Sequence, residues 1–369
     1  PMPDRARLKQ IISAEFQRLS QTRKLSNKLD AAGLDAMAAN LCGLTEEEAE
    51  RATGQAIVAR YGLVAESVMD VLEAKREMLK RSGTLEFVDV ADTLSSMGGL
   101  DNLKNWLRKR RAAFDEGAKA AGLEPPKGVI ILGVQGCGKS MCACAIAGEW
   151  KLPLVKFDSS AVFDKYIGET EKRIQKVFRV AEQLAPCVLW IDELEKVFAG
   201  SGPDSASSDA GTSSRLLGAF LTWMQDRKAP VFVVATSNNV MVLPPELIRK
   251  GRFDELFFVD LPNITERKAI FEVQLKRRTF DPGKFDLIQL VAATDGYSGA
   301  EIDASLQSAM YACFADRKPM SNEVILGEIK NTVPLSLTRG EDIAKLRAWA
   351  KQRAVPATSG DPAQTASTK

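Results

Sequence analysis

The sequence predicts a doubly wound α/β fold on the basis of two observations. Five short and almost continuously apolar runs occur between residues 128 and 261. Amphipathic segments of helix length separate these runs, and this alternation indicates a parallel five-stranded sheet with helices on both faces. The predicted strands are GVIIL (128–132), LPLVKF (152–157), CVLWI (187–191), VFVVAT (231–236) and LFFVDL (256–261). Ligands of such sheets bind at the carboxyl ends of the strands.

The composition limits the chemistry that the protein can perform. The chain has 369 residues, 45% hydrophobic and 27% charged, which suits two or three globular domains. Lys and Arg outnumber Asp and Glu by only 50 to 48, so no overall positive charge attracts nucleic acid or an anionic membrane. Histidine is absent, which excludes His-ligated metalloproteases and an imidazole base. Without a membrane-length apolar run or a signal peptide, a soluble intracellular protein is expected.

The first predicted strand leads into GVQGCGKS, residues 133–140. The pattern G-x-x-x-x-G-K-S between a strand and a helix is typical of a loop that binds phosphate groups. Glycines let backbone N–H groups surround the phosphates, Lys139 neutralises the terminal ones, and the Ser140 hydroxyl can ligate Mg²⁺. The alternative is a chance glycine loop, and the flanking strand and helix argue against it.

The third predicted strand ends at Asp192 and Glu193. Asp192 can hold the Mg²⁺ shell, and Glu193 can polarise a water for attack on a γ-phosphate. An isolated acidic pair of this kind is more often the beginning of a helix. Together with the phosphate loop, the pair indicates nucleotide hydrolysis.

Polar residues also follow the fourth predicted strand. Asn238 can hold the attacking water or a phosphate oxygen, or it can be an ordinary turn residue. Arg249 and Arg252 follow in the segment LIRKGRFDE. A guanidinium suits the charge of a phosphoryl-transfer transition state, and such an arginine is often supplied by a neighbouring subunit. Ordinary surface ion pairs are the alternative for both arginines.

Seven segments between roughly residues 90 and 315 resemble the AAA ATPases in their order and spacing. They are SSMGGLDNLKNWL, GVQGCGKS, KYIGETEKRI, VLWIDELEK, ATSNN, IRKGRFDE and DGYSGAEI. Within this family the sequence is similar to the uncharacterised AAA proteins of cyanobacteria and chloroplasts known as hypothetical chloroplast frame forty-six. The resemblance implies a P-loop NTPase core that is followed by a C-terminal helical lid.

The resemblance also implies a site for Mg-ATP. Lys139, Ser140 and Asp192 would bind Mg-ATP, with Ser140 and Asp192 on the metal. Glu193 would be the catalytic base and Asn238 the first sensor. The remaining nucleotide-binding positions would be two glycines beside the adenine, the rest of the phosphate loop and the lid turn, namely Gly98, Gly99, Gly133, Val134, Gln135, Gly136, Cys137, Gly138, Met141, Gly299 and Ala300.

A ring is a further implication of the resemblance. Arg249 and Arg252 would reach the nucleotide of the neighbouring subunit, so the active species would be a homo-oligomer, usually a hexamer. Tyr166 and Ile167 match a pore loop, where the flat amphipathic face of tyrosine would grip a translocating polypeptide. A buried tyrosine is the alternative. Asp295 occupies a position that is histidine in some relatives, where it contacts ribose.

The expected function is therefore an ATP hydrolase that couples ring-wide motion to remodelling or translocation of a macromolecular client. Protein is favoured as the client, because the overall charge is balanced. A nucleic-acid-handling ATPase of the helicase or loader type and a regulatory nucleotide switch are the alternatives. The resemblance places the protein in the cytoplasm, or in the plastid stroma if the chain is of chloroplast origin.

The N-terminal region contains segments similar to the predicted lid. PDRARLKQIISAEFQR (3–18) matches PNITERKAIFEVQLKR (262–277), and GLTEEEAERATGQAIVA (43–59) matches GYSGAEIDASLQSAMYA (296–312). Residues 1–82 are thus predicted to be a helical domain, the lid of a preceding ATPase-like module, with unrelated amphipathic helices as the alternative. The other predicted boundaries are a linker at 83–97, the core at 98–262, the lid at 263–355 and a disordered tail at 356–369.

The six cysteines include no C-x-x-C pair, which predicts reduced thiols. Cys142 and Cys144 lie two residues apart on a predicted helix and point in different directions. Cys137 lies inside the phosphate loop, near helix N-terminal dipoles that lower the pKa of a thiol. A redox switch at Cys137 is therefore a hypothesis.

Overall fold

The computed structural model of the chain describes residues 3–42, 44–80, 85–90, 93–94, 97–114, 118, 121–157, 170–198, 210–249 and 251–359. The strands, in chain order, are β1 (Ser26–Asn27), β2 (Gly62–Leu63), β3 (Leu85–Val88), β4 (Gly128–Gly133), β5 (Leu154–Phe157), β6 (Cys187–Ile191), β7 (Val231–Ser237), β8 (Glu255–Val259) and β9 (Val355–Pro356). Short 3₁₀ turns cover Ala112–Phe114, Val240–Val242 and Pro282–Lys284.

The α-helices, in chain order, are α1 (Arg5–Ser20), α2 (Ala31–Leu41), α3 (Glu46–Arg60), α4 (Ser67–Lys80), α5 (Asp101–Arg111), α6 (Lys139–Trp150), α7 (Thr170–Leu184), α8 (Leu194–Val197), α9 (Ala210–Asp226), α10 (Pro245–Ile248), α11 (Ile264–Arg277), α12 (Leu287–Ala293), α13 (Gly299–Asp316), α14 (Asn322–Asn331), α15 (Leu335–Thr338) and α16 (Gly340–Arg353). None of these helices has both the length and the apolar character that crossing a membrane would need.

All five predicted strands are present, as β4 to β8. β4, β6 and β7 are buried at every residue, as expected for apolar strands in a sheet that is covered on both faces. β4 pairs in parallel with both β7 and β8. The prediction of an α/β fold with a parallel sheet is therefore confirmed.

The chain divides into two compact units, one of Pro1–Val88 with Val155–Cys187 and one of Asp89–Leu154 with Val188–Lys369. The first unit contains the neighbouring strands β3 and β5, and the short parallel pair β1 and β2. In the second unit, five strands lie in the order β6-β7-β4-β8-β9. Because β4 is central in that order, the loop that follows it lies between the ends of its neighbours.

Two predicted boundaries are wrong. β3 lies inside the predicted linker, and the predicted tail begins within an ordered segment. β9 pairs in parallel with β8, the backbone N–H of Ala357 donates to the Phe258 carbonyl at 2.8 Å, and Ala357 is only 1% exposed. Composition did not reveal this segment because pairing with a strand edge uses backbone groups. Residues 360–369 lie outside the described part of the chain.

Helices α1 to α4 form a bundle in the first unit, here called the N-terminal bundle. Its core contains Leu8, Ile12, Leu41 and Ile57. The side chain of Asp4 caps α1, and α3 begins with a capping box in which Thr45 and Glu48 satisfy each other's backbone N–H groups. The helix pairs in contact are α1 with α2, α1 with α3, α2 with α4 and α3 with α4.

Helices α11 to α14 form a second bundle, here called the C-terminal bundle, with its own apolar core. Asn263 caps α11, and α13 begins with a capping box of Ser298 and Glu301. The helices contact one another in the same four pairings as in the N-terminal bundle. Helices α3 and α13 also bury equivalent residues at a constant spacing along the chain, namely Ala49 and Ile302, Ala52 and Ser305, Thr53 and Leu306, and Ala56 and Ala309.

Candidate nucleotide-binding site

A cavity of about 870 Å³ lies in the second unit, beside the ends of β4, β6 and β7. The glycine-rich loop, the end of β6 and two helices of the C-terminal bundle form its wall. The predicted site residues that line this cavity are Gly98, Gln135, Gly136, Cys137, Gly138, Lys139, Ser140, Met141, Asp192, Glu193, Asn238, Gly299 and Ala300. Residues that are far apart in the sequence therefore converge on a single space.

The glycine-rich loop depends on the absence of side chains at two positions. Gly136 and Gly138 have φ angles of +78° and +83°, which glycine adopts at little cost. A Cβ at Gly136 would lie 2.9 Å from Ser298 Oγ and 3.0 Å from the Ala300 Cβ. The carbonyl of Gly136 accepts the backbone N–H of Ala300 at 2.9 Å. The loop is thus packed directly against the first turn of α13.

Lys139 begins α6 and lies buried in the cavity wall. Its Nζ donates to the carbonyls of Gly133 at 3.0 Å and Val134 at 2.7 Å. Burial lowers the pKa of Lys139, because the charged ammonium loses hydration. A phosphate group in the cavity would supply a negative partner for this ammonium.

Two oxygen donors beside the loop fit Mg²⁺. Ser140 Oγ donates to Asp192 Oδ1 at 3.3 Å. Within the described residues, no three acidic or cysteine side chains cluster as a complete metal cage. Mg²⁺ usually takes one or two protein oxygens together with phosphate oxygens and water, so this sparse donor set suits it.

Thr236, at the end of β7, connects the two acidic residues. Its hydroxyl donates to Asp192 Oδ1 at 2.5 Å and accepts the backbone N–H of Glu193 at 3.1 Å. Glu193 has left-handed φ and ψ angles of 51° and 56°, a conformation that costs energy for a residue with a side chain. Its Oε2 lies 2.6 Å from Lys196 Nζ. The backbone therefore holds Glu193 in a strained turn at the cavity edge.

Comparison with known proteins shows the family of the chain. Residues 129–261 match the family model described as ATPase family associated with various cellular activities (AAA). The chain is 39% identical over 351 residues to the uncharacterized AAA domain-containing protein ycf46 of Guillardia theta, an alignment that covers 95% of this chain and 68% of the relative. The chain belongs to the AAA ATPase family.

Two further relatives and a second family model support this assignment to the AAA family. The ycf46 protein of Trieres chinensis is 38% identical over 342 residues, which are 92% of this chain and 67% of that protein. The ATPase family protein 2 homolog of Caenorhabditis elegans is 31% identical over 261 residues, 68% of this chain and 35% of that protein. Residues 6–82 match the model described as SpoVK-like AAA ATPase, second domain. The similarity to ycf46 proteins confirms the narrower resemblance.

Three of the positions predicted to bind nucleotide lie behind the wall of the AAA site. Gly99 packs on Glu266, and Gly133 packs on β8, where a Cβ would lie 1.9 Å from the Val259 carbonyl oxygen. Val134 is buried, and its N–H already donates to Val259 at 3.1 Å. These residues shape the loop but do not line the cavity.

The two predicted arginines are not part of this AAA cavity. Arg249 is exposed after α10, and Arg252 Nη1 donates to the carbonyl of Glu246. Neither arginine lines the cavity. Tyr166 and Ile167 lie outside the described residues.

Asp295, at the position that is histidine in some relatives, does not line the cavity. Its carboxylate is 89% exposed and pairs with Arg267 at 3.2 Å, away from the nucleotide cavity. The wall of the C-terminal bundle is instead formed by residues that the sequence analysis did not single out, including Ile270, Gln274, Arg278 and Asp303. Arg278 donates to Asp303 at 2.7 Å and to Gln274 at 2.8 Å. The spacing of four residues between Ile270, Gln274 and Arg278 is the signal that could have placed Ile270 and Gln274 on one face of α11, with Arg278 on the same side directly after its last residue.

Glu195 is another residue that the sequence analysis missed. Its Oε1 accepts the backbone N–H of Asn238 at 2.9 Å, and its Oε2 is buried with no hydrogen-bond partner among the described residues. An acidic residue two positions after Glu193 therefore holds the backbone of Asn238, the predicted first sensor. The third acidic residue in the run Asp192-Glu193-Leu194-Glu195 was the available signal.

The expected direction of the Cys137 pKa was wrong. Burial raises the pKa of the Cys137 thiol to about 12, and the nearby Lys139 ammonium offsets this only in part. The thiol therefore stays protonated near neutral pH, although it is the thiolate that reacts with oxidants. This environment does not favour a redox switch at Cys137.

Proposed function

We propose that the chain is a Mg²⁺-dependent ATP hydrolase that works as an oligomeric ring and remodels or translocates a protein client. The observation that carries the proposal is the convergence of the phosphate loop, the Ser140 and Asp192 pair, Glu193 and Asn238 on one cavity. Each of these groups suits one part of phosphoryl transfer to water. Membership of the AAA family supports ATP as the nucleotide.

Each residue of the site has a separate role in the proposed reaction. Backbone N–H groups of residues 135–139 and the Lys139 ammonium bind the phosphates and stabilise the charge that develops on them. Ser140 and Asp192 would hold Mg²⁺, which supplies charge neutralisation at the phosphate oxygens. Glu193 accepts a proton from the attacking water, and Asn238 positions that water. Lys196 must release the Glu193 carboxylate for this step.

We propose a ring because Arg249 and Arg252 do not line the nucleotide cavity of their own chain. Arg249 and Arg252 follow α10, where a guanidinium exposed to a neighbouring subunit can reach that subunit's nucleotide. An interface in which each subunit reaches the site of the next is heterologous, and such an interface generates a ring when the rotation between subunits closes. Tyr166 and Ile167 would then face a central pore, with each Tyr166 gripping the polypeptide through its amphipathic ring.

We further infer that residues 1–82 are a second lid-type bundle that belongs with an ATPase-like module. The N-terminal and C-terminal bundles share helix pairings, capping boxes and the spacing of buried residues. The match of residues 6–82 to a AAA ATPase second-domain model also supports this inference. An experimental structure tests it: the inference fails if the Cα trace of residues 5–80 does not superpose on that of residues 264–331.

The test of function uses the Glu193→Gln variant, which should bind ATP but not hydrolyse it. The molecular mass of the assembly is measured for the purified variant and the wild-type chain, with and without Mg-ATP. Proteins retained by the ATP-bound variant are identified by mass spectrometry. The Lys139→Ala variant, which should not bind ATP, is the matched control. ATP-dependent rings that retain proteins absent from the control support the proposal.

Two results would contradict parts of this proposal. A wild-type chain that hydrolyses ATP as a strict monomer would refute the role of Arg249 and Arg252 in a neighbouring site. Retention of nucleic acid instead of protein, with a strong dependence on salt, would favour the helicase or loader alternative. Tyr166→Ala should keep basal hydrolysis and lose remodelling, and a variant that keeps both would refute the pore assignment.

A further inference from the structure

Glu266 connects three segments of the chain beside the nucleotide cavity. It lies in the first turn of α11, is 8% exposed, and exchanges capping hydrogen bonds with Asn263 at 2.9 and 3.0 Å. Its Oε1 accepts the hydroxyl of Thr358 at 2.6 Å and the backbone N–H of Leu100 at 3.4 Å. That N–H also lies 3.3 Å from Thr358 Oγ1, so the three groups form one closed cluster.

The segment Met97–Leu100 is packed tightly on α11 around this cluster. Gly99 has a φ angle of +69°, and a Cβ there would lie 2.0 Å from Glu266 Oε1. A Cβ at Gly98 would lie 3.1 Å from the Ala269 Cβ. Met97, Gly98 and Leu100 line the cavity, as do Glu266 and Ile270 of α11. The contact between the segment and the helix therefore sets the width of the cavity on this side.

Thr358 belongs to a C-terminal segment, residues 355–359, that is fixed independently of Glu266. The N–H of Ala357 donates to Phe258 on β8, and its carbonyl accepts the N–H groups of Asn102 at 3.0 Å and Leu103 at 3.1 Å. Helix α5 has no side-chain cap, because the residue before it, Leu100, has no side-chain hydrogen-bond acceptor. The Ala357 carbonyl thus takes the place of a capping side chain for the first turn of α5.

We propose that Glu266 and Thr358 are positioning residues of the nucleotide site, and that the docked C-terminal segment holds the Met97–Leu100 segment in its nucleotide-binding position. This inference rests on the proposed function, since it concerns the affinity of the same cavity for ATP. The hydroxyl of Thr358 donates to a buried carboxylate, which is one of the stronger classes of hydrogen bond. Loss of that bond leaves Glu266 with fewer donors and frees the backbone at Leu100.

The experiment compares full-length variants in which single groups are removed. Thr358→Val keeps the side-chain shape but removes the hydroxyl, whereas Thr358→Ser restores it. Ser359→Ala is the matched control, because Ser359 donates to the Asn102 side chain at 2.9 Å and does not contact Glu266. Binding of a fluorescent ADP analogue, the KM and kcat of ATP hydrolysis, and the thermal midpoint are measured for each variant.

Thr358→Val is expected to raise both the Kd for the analogue and the KM for ATP by about tenfold, because a hydrogen bond to a charged group is lost. The kcat should stay within about twofold of wild type, since only nucleotide binding is affected. Thr358→Ser and Ser359→Ala should behave as wild type. Glu266→Gln should also raise the Kd for the analogue. The Kd of the double variant, Glu266→Gln with Thr358→Val, should be no higher than the higher Kd of the two single variants, since both substitutions remove the same interaction.

The outcomes separate this inference from the proposed function. A wild-type chain that binds no nucleotide refutes the proposed function. If the wild type binds but Thr358→Val binds equally well, or if the two single effects simply add, the positioning role is refuted. An equal loss with Thr358→Ser, or a fall in kcat without a change in KM, also overturns it.

Discussion

Thr236 donates its hydroxyl hydrogen to Oδ1 of Asp192, with 2.5 Å between the two oxygens. The same hydroxyl accepts the backbone N–H of Glu193, so one buried side chain holds both Asp192, the proposed metal ligand, and Glu193, the proposed catalytic base. This relationship depends on the neighbouring strands β6 and β7, which end side by side.

Replacement of Thr236 by valine should therefore reduce ATP hydrolysis. The shape is nearly kept, but a hydrogen bond to a carboxylate worth about 1.5–3 kcal/mol is lost, which corresponds to about 10- to 100-fold in rate. The measurement is phosphate release at saturating Mg-ATP, with the thermal midpoint recorded to exclude unfolding. Thr236→Ser should retain most of the activity, and a fully active Thr236→Val would show that the hydroxyl does not matter.

The buried Lys75 should make the stability of the first unit depend on pH. Its side chain is 4% exposed, Nζ donates to the backbone carbonyl of Cys42, and burial lowers its pKa to about 8. The unfolded chain has a lysine pKa of about 10.4, so it binds more protons than the folded chain between these two values. The free energy of unfolding should therefore rise by on the order of 3 kcal/mol from pH 8 to pH 10.5.

This dependence is measured by urea unfolding of the full chain across that pH range. Hydrogen exchange in α1–α4 assigns the transition to the N-terminal bundle. Lys75→Met should remove the rise and increase stability at pH 7, because no charge then has to be buried. Lys28→Met is the control at an exposed lysine of the same unit. A pH dependence that persists in Lys75→Met would assign it to other groups.

Cys137 should react slowly with thiol reagents in the folded protein. Its pKa of about 12 leaves little thiolate at pH 8, so alkylation by iodoacetamide should be more than about 100-fold slower than for an ordinary thiol. The rate is followed by mass spectrometry of the peptide that contains Cys137. The same chain in urea supplies the reference rate, and equal rates in the two states would restore the hypothesis of a redox-sensitive phosphate loop.

The sequence predicted the parts of the site that are encoded locally. A phosphate loop needs glycine at positions such as Gly136 and Gly138, where φ is positive, and a lysine immediately after them. Asp192 and Glu193 were found because an apolar strand ends directly before them. These signals span a few residues each, so spacing alone reveals them.

The missed residues depend on contacts between distant segments. Thr358 and Leu100 meet at Glu266 although more than 250 positions separate the first two, and no local pattern marks any of them. The ordered segment at Val355–Pro356 was missed because its pairing with β8 uses backbone groups.

The contact between Glu195 and Asn238 yields a last prediction about catalysis. Glu195 Oε1 accepts the Asn238 N–H at 2.9 Å but Glu195 does not line the cavity, so its hydrogen-bonded route to the cavity runs through Asn238. Glu195→Ala should lower kcat by about tenfold, because a charge-assisted hydrogen bond that orients Asn238 is lost. The Kd for an ATP analogue should not change. Glu195→Gln keeps an acceptor oxygen and should lose less activity.

A double-mutant cycle with Asn238→Ala distinguishes this route from a general structural effect. If Glu195 acts by orienting Asn238, the removal of its carboxylate should cost little more in a chain that already lacks the Asn238 amide. The kcat of the double variant should then equal that of Asn238→Ala. If the two losses multiply, or if Glu195→Ala weakens nucleotide binding as much as it slows hydrolysis, Glu195 supports the fold of the β6–α8 turn and does not position the first sensor.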